Sequence, residues 1–439
     1  MSVKHISAAT RRRALVAGTV GNFVEWFDFV VYGALAVVLG PLFFPSGSPT
    51  AATLSVFATF AVAFLFRPLG GYVFGVIGDR LGRRVALSGT VLLMSGSTMA
   101  IGILPTADAL GVWAAVLLVA IRCLQGVAVG GEWSGSTVYL VEFGGGRNRS
   151  LLASLTPAGA WVGAMAGVGI VAALSATLGP DAVQSWGWRV PFLLAGPLGL
   201  VGFYMRRRLR DTPAFEALKL ADNIERQPVR RAFRTHKTAM LFIFVGAAMG
   251  AAAGYMLIAY MVSYLTGTVG VPLGTALLTN MIALGVSTIG TIGSGYLADR
   301  IGRKPVFLSA LILLMVLAVP LFLLIGTGGL AGILVGQCVL GILTGAMLAP
   351  FAVLCVELFP AEVRYAASGV SYSLGAGLLG GISPLVAATL VATTGSPLAP
   401  AVYLSLMLFI TLLAALAFLR ETLVSTPDGA LEAAEAPSA

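Results

Sequence analysis

Five ionisable residues stand inside apolar runs, where an unpaired charge is costly. Glu25 and Asp28 lie in the first run, Arg67 in the second, Arg122 in the fourth, and Glu132 ten residues beyond Arg122. Asn22, Glu25, Asp28 and Tyr32 follow one another at spacings of three, three and four, which is one face of a helix. Counting from Arg13 at the helical rise, Glu25 and Asp28 fall roughly 18–22 Å along, near the middle of a ~30 Å hydrocarbon layer. Arg67 falls about 18 Å from Asp79 at the end of its helix, and Arg122 about 16 Å into its own. Burying two acids one turn apart disfavours ionising both. A carboxyl that takes and releases a proton is the chemistry a proton-coupled process needs. Glu25, Asp28 and Glu132 are therefore the candidate proton carriers. The bland alternative is a set of internal salt bridges, and for Arg67 the following Pro68 and Gly70-Gly71 point to a tightly packed bend. Arg122 stays protonated. It either fixes a substrate carboxylate or holds a nearby acid ionised.

A second constellation is duplicated. Gly75-Val76-Ile77-Gly78-Asp79-Arg80-Leu81-Gly82-Arg83-Arg84 recurs 220 positions later as Gly295-Tyr296-Leu297-Ala298-Asp299-Arg300-Ile301-Gly302-Arg303-Lys304. Each copy is a charged hinge between two apolar runs. Glu142 and Glu357 end later runs, and Arg147, Arg149 and Arg364 follow them. Asp79, Arg80, Arg83, Arg84 and Glu142 in one half, with Asp299, Arg300, Arg303 and Glu357 in the other, are expected to form a gate of ion pairs. Such pairs are individually weak, which suits a gate that opens on every cycle. Ordinary solvated helix ends are the alternative.

The elements that must position these groups follow from composition. The chain is 58% hydrophobic and 10% charged, far below the ~25% charged of soluble domains. Lipid must solvate part of it. Runs of about 20 residues give twelve spans, near 14–40, 51–77, 85–104, 111–141, 150–176, 188–205, 238–266, 272–298, 305–325, 329–357, 364–392 and 398–420. The fold class is thus an all-α membrane protein. The first run is too long for a signal peptide, and no small-residue cleavage site ends it. Segment 206–237 carries ten Lys and Arg, and both hinges share its side, so both termini are expected in the cytoplasm. That segment separates an N-terminal six-helix bundle, 1–205, from a C-terminal one, 238–420, with a tail at 421–439 expected to be disordered. The bases are spread over membrane-facing loops, so no nucleic-acid partner is expected. Anionic lipid is the natural neighbour. Gly126-x3-Gly130, Gly159-x3-Gly163-x3-Gly167, Gly341-x3-Gly345 and Gly377-x3-Gly381 mark faces for close helix packing or sliding. Trp186 and Trp188 read as interfacial anchors.

Gly-x3-Asp-Arg-x-Gly-Arg-Arg/Lys after the second and eighth runs resembles the signature of the major facilitator superfamily, and Arg122-x3-Gly126-x3-Gly130 resembles its fourth-helix motif. Gly21-Asn22-Phe23-Val24-Glu25-Trp26-Phe27-Asp28-Phe29, Phe66-Arg67-Pro68-Leu69-Gly70-Gly71, Gln125-Gly126 through Gly130-Gly131-Glu132 and Trp186-Gly187-Trp188-Arg189-Val190-Pro191-Phe192 resemble the metabolite:proton symporter family. The similarity runs from about residue 14 to 421. It implies two six-helix bundles around a central site that opens alternately to each side, and uptake driven by the proton gradient. Family members carry proline and betaines, 2-oxoglutarate, citrate or shikimate. The seventh helix, Tyr255 to Tyr264, looks closer to the proline/betaine branch, whereas Arg122 resembles the 2-oxoglutarate branch.

The expected function is import of a small carboxylate-bearing or zwitterionic metabolite with protons. Arg122, Arg67, Asn22, Tyr32, Tyr255 and Tyr260 are the expected substrate contacts. A proton-driven exporter is the alternative, although the Gly-Pro pair of the fifth helix of such exporters is missing from Pro157-Ala158-Gly159-Ala160-Trp161. A membrane sensor would need an output domain that the polar segments are too short to form. There is no Gly-x4-Gly-Lys-Ser/Thr phosphate loop and no His-based metal cluster, so neither an enzyme nor a cofactor is expected. A single copy of the chain is expected to suffice.

Overall fold

A computed structural model describes residues 8–45, 49–144, 148–208 and 210–423. Among these, twelve long helices run back and forth across one slab. They are α1 (Ala8–Ala34, continued by Ala36–Phe43), α2 (Pro49–Leu65 and Arg67–Arg80), α3 (Arg83–Ile103), α4 (Val112–Gly144), α5 (Arg149–Leu178) and α6 (Arg189–Arg207). The second half holds α7 (Lys237–Val269), α8 (Leu273–Ile301), α9 (Arg303–Gly326), α10 (Leu330–Glu357), α11 (Arg364–Thr394) and α12 (Ala399–Phe418). Among the described residues, eleven helices are long and apolar enough to cross a membrane. The expected tail disorder concerns residues that, beyond Leu423, lie outside the described part.

Besides α1, which breaks at Leu35, three helices are interrupted. α2 breaks at Phe66, because Pro68 has no N–H for the helical ladder. α7 widens to π geometry at Met256–Tyr260 and again at Leu265–Val269, and α11 at Gly375–Gly380. Such π segments re-aim side chains and concentrate at functional sites. In α7 the first one begins directly after Tyr255.

The hinges fold alike. Gly82 and Gly302 both sit at φ 111°, a conformation open to glycine, and each turns the chain from one helix into the next within a residue or two. The end of the bundle that carries the hinges is called the basic face below. Glycines serve packing elsewhere. Those of α4 lie on α2, where a Cβ at Gly126 or Gly130 would run into the Ala63 or Arg67 carbonyl. Between the halves, Gly71 and Gly75 of α2 lie on Gly369 and Ala366 of α11, and Gly295 of α8 lies on Ser150 and Ser154 of α5. The outer Trp pair divides its labour. Trp186 is exposed as an anchor would be, but Trp188 is buried between Phe43 and Phe192.

The sixth apolar run, expected to end near residue 205, is a slightly longer helix. α6 continues to Arg207, and Arg206 is buried inside the first bundle. Beyond it, two short helices, Pro213–Leu220 and Pro228–Thr235, carry the chain to α7.

The glycine contacts set a sign test. Gly96 has open space around it, so Gly96→Ala should stabilise by the usual helix gain, about 0.5–1 kcal/mol. Gly130→Ala meets backbone that cannot yield, and should cost about 1–3 kcal/mol. Thermal unfolding in detergent reads both.

Candidate functional site

The α1 acids are each paired with an arginine from another helix. Arg67 donates to Glu25 at 3.2 Å and to the Tyr255 hydroxyl at 2.9 Å, so one guanidinium joins α1, α2 and α7 across the two bundles. It also lies over the rings of Phe64 and Phe29. Asp28 accepts from Gln125 at 2.7 Å and lies 3.6 Å from Arg122, which donates to the same Gln125. Arg122 stacks 3.7 Å over the Tyr32 ring and is walled by Phe29 and Phe60. That second pair is sealed within the first bundle. Gln125, which also donates to Thr98, is the bridging residue, quoted in a motif but given no role by the sequence reading. It lies three positions after Arg122, so helical spacing could have drawn it out.

A small aromatic chamber lies between the halves. Trp26, Trp133 and Trp161 line it from the first bundle, and Tyr255 and Tyr372 from the second, with Gly250 and Gly254 leaving room beside them. Trp133 stacks face to face on Tyr372 at 3.8 Å, Trp26 lies 5.4 Å from Tyr255, and Trp161 donates to Thr291 of α8. Of the residues expected to contact substrate, Tyr255 lines this chamber and Arg67 adjoins it through the Tyr255 hydroxyl. Arg122, Tyr32, Asn22 and Tyr260 do not line it. Tyr32 instead donates to the Val56 carbonyl, Tyr260 pairs with Tyr264, and Asn22 is fully buried. Trp133, Trp161 and Tyr372 were missed because an aromatic in an apolar run looks like any core residue. Only the meeting of two halves gives them a common face.

Glu132 is held differently from the α1 acids. Arg206 grips it bidentately at 2.6 and 2.8 Å, and Thr90 donates at 2.5 Å. Arg206 spends its remaining donors on the Ala17, Gly18 and Leu87 carbonyls. This cluster ties α1, α3, α4 and α6 together, and its fully satisfied carboxylate fits a structural role better than the proton-carrying one expected.

At the basic face the expected gate residues meet, with partners from the opposite half. Asp79 accepts from the backbone N–H groups of Tyr365 and Ala366 at the start of α11, and Asp299 from those of Ser150 and Leu151 at the start of α5. Arg83 lies 3.0 Å from Asp79, 3.4 Å from Glu142, and donates to the Ala361 carbonyl of the other half. Arg303 repeats this with Asp299 and Glu357. Glu142 takes Arg364 at 2.7 Å, and Glu357 takes Arg149 at 3.0 Å. Arg80 and Arg300 point away from the gate. Both are exposed, and Arg300 lies over Tyr296. Arg84 is exposed and joins through its backbone N–H, which Asp211 accepts. Arg147 lies outside the described residues.

A further repeat was missed. Leu209-Arg210-Asp211-Thr212 after α6 reappears as Leu419-Arg420-Glu421-Thr422 after α12. Asp211 caps the start of α3 and Thr212 donates to Glu142. Glu421 caps the start of α9 and Thr422 donates to Glu357. The two copies are short and polar, and a search for apolar runs passes over them.

A family model described as Major Facilitator Superfamily matches residues 20–384. The chain belongs to this superfamily. It is 37% identical to the glycine betaine/proline/ectoine/pipecolic acid transporter OusA of Dickeya dadantii (strain 3937), over 96% of this chain and 86% of the relative. It is 34% identical to the proline/betaine transporter of Escherichia coli (strain K12), with the same coverage. Its fold resembles that of the proton:xylose symporter XylE bound to 6-bromo-6-deoxy-D-glucose, at TM-score 0.80 and 16% identity, over 95% of this chain and 97% of that one. The major facilitator protein described here is thus a multi-pass membrane transporter and not an enzyme.

The Glu132–Arg206 pair gives a stability prediction. Arg206→Leu leaves a buried carboxylate unpaired and should cost about 3–5 kcal/mol. Adding Glu132→Met should restore most of that, because removing both partners of a buried pair is often near neutral. Thermal melts of the two variants in detergent decide it.

Proposed function

We propose that this transporter imports small zwitterions of the betaine and proline kind together with protons, across the cell membrane, with its basic face toward the cytoplasm. The observation that carries this reading is the aromatic chamber. A quaternary ammonium has no N–H to donate and a secondary one has only two, and either is attracted to the faces of Trp and Tyr. Three Trp and two Tyr converge on one small volume, and the nearest cation, Arg67, stands at one edge, where a substrate carboxylate would find it. The names of the relatives support the same class. So does the position of Arg122, which is occupied inside the first bundle rather than set out for a dicarboxylate.

Proton coupling rests on Glu25 and Asp28. Each holds a buried arginine, so protonating either one releases a cation and changes the pairing at the centre. Alternating access follows from the two layers of contact. With the hinge carboxylates seated on the opposite half, the chamber is shut toward the basic face. Unseating them opens that side. The basic segment 206–237 and both hinges lie on this face, which by the positive-inside rule is the cytoplasmic one. N-terminal bundle, central segment and C-terminal bundle then follow the boundaries expected from sequence, with the first bundle extended through Arg207.

The test is uptake of glycine betaine into proteoliposomes under an imposed pH gradient. Trp133→Ala should weaken apparent affinity about tenfold, the worth of a desolvated cation–π contact of ~1.4 kcal/mol, and Trp133→Phe should recover most of it. If Phe is no better than Ala, the cage reading falls. If Glu25→Gln and Asp28→Asn both keep full gradient-driven accumulation, the coupling assignment falls.

A further inference from the structure

Two donors at one corner of the chamber lack a partner. The Trp26 indole N–H is buried and unpaired, and so is Nε of Arg67. The Tyr255 hydroxyl lies beside the same guanidinium. It accepts from Arg67, which leaves its own O–H free to donate, since a hydroxyl carries one donor and two acceptor lone pairs. Trp26 and Tyr255 both line the chamber and lie 5.4 Å apart, ring centre to ring centre. Donors without an acceptor, backed by a guanidinium, describe a site for a carboxylate. Yet the guanidinium already has one counterion, Glu25, at 3.2 Å. The other Glu25 oxygen is buried and unpaired.

We infer that the substrate carboxylate docks at the Trp26–Tyr255 corner and takes over Arg67 from Glu25, which binds the transported proton as it is displaced. This rests on the zwitterion reading of the chamber. The balance is simple. Before binding, the buried pair holds one negative and one positive charge. A zwitterion brings one of each, its ammonium going to the rings. Arg67 can then face two carboxylates, and in a low-dielectric centre only one stays ionised. A proton neutralises Glu25, no bond other than O–H is made, and one net positive charge travels with each zwitterion. Substrate and proton thus depend on one another because they compete through a single arginine. The Tyr255 link adds that this happens at the junction of the two halves, so occupancy is felt by both.

The titratable and charged groups that face Glu25 are Asp28 on α1, Arg67 on α2, Glu132 on α4, and Tyr255 and Tyr372 from α7 and α11. Glu132 is committed to Arg206 and Asp28 to Arg122 and Gln125, so neither can replace Glu25 on Arg67 without breaking its own cluster. Asp28 remains a second acid able to titrate, and the experiment must separate the two.

The purified transporter in nanodiscs is titrated with glycine betaine and with choline, which has the ammonium and no carboxylate. Calorimetry in two buffers of different ionisation enthalpy counts protons taken up, and tryptophan fluorescence gives affinity from about pH 6 to about pH 9. Wild type should take up about one proton per betaine where Glu25 starts ionised, with affinity falling up to tenfold per pH unit on the alkaline side. Choline should take up none. Glu25→Gln should bind betaine without proton uptake and without the pH slope. Its choline binding shows that the variant is folded. Asp28→Asn should keep the proton uptake of wild type. Asp28→Asn that loses the proton uptake while Glu25→Gln keeps it would place the exchanged proton on the wrong acid and overturn the exchange. Betaine binding in Glu25→Gln that retains the wild-type proton uptake and slope overturns the exchange, as does wild type that binds betaine with no proton. If neither ligand binds wild type at any pH, it is the chamber reading that fails, and the exchange goes with it.

Discussion

Two carboxylates seated on two helix ends hold the halves of this protein together. Asp79 takes the free N–H groups at the start of α11, and Asp299 those at the start of α5. The first turn of a helix has donors without partners and a partial positive charge, so a carboxylate there gains from both. Neither contact needs a side chain from the opposite half to be in a particular rotamer. Around each seat the same arrangement recurs, with Glu142 crossing to Arg364 and Glu357 crossing to Arg149. A lock made this way is strong when complete and made of small parts. It lies at the end of the bundle that carries the two hinges.

The interior follows a different economy. Ionised groups far from water persist when each has a partner, and the first bundle contains three such pairs. They differ in what surrounds them. Glu132 and Arg206 are saturated with hydrogen bonds and join four helices. Asp28 and Arg122 are bridged by Gln125 and walled by aromatic rings. Glu25 and Arg67 alone reach the second bundle, through Tyr255. The gradation runs from a carboxylate bonded on both oxygens, Glu132, to one with an oxygen left unpaired, Glu25. The second bundle, with no such charges at depth, contributes the Tyr255 and Tyr372 rings and the breaks in α7 and α11.

Much of this was legible in the residues. The apolar runs gave the helices because a bilayer allows few other solutions. The duplicated hinge stood out because Gly82 and Gly302 must take a conformation that few residues tolerate, and because Asp79 and Asp299 each stand one turn before their arginine. The deep charges of α1, α2 and α4 were conspicuous against their surroundings. What did not show was which partner each charge chooses. Helical periodicity gives the face of one helix and says nothing about the helix opposite, so it could not show that Arg122 meets Asp28 through Gln125, or that Trp133 and Trp161 meet Tyr372 at one chamber. Arg206 was hidden for another reason. Next to Arg207 and Arg208 it looked like one more loop cation, and only burial distinguishes it.

The acid-threonine pairs after α6 and α12 say something about how the chain was assembled. Each closes its own half, by capping the helix that follows that half's hinge and by steadying the glutamate that ends its fourth helix. The duplicated unit therefore does not stop at its sixth helix. It runs on through Thr212 in the first copy and Thr422 in the second, and each copy carried its own fastening with it. By that measure the central connection begins only after Thr212, and the first residues past α12 are not an appendage but the last structural part of the second copy.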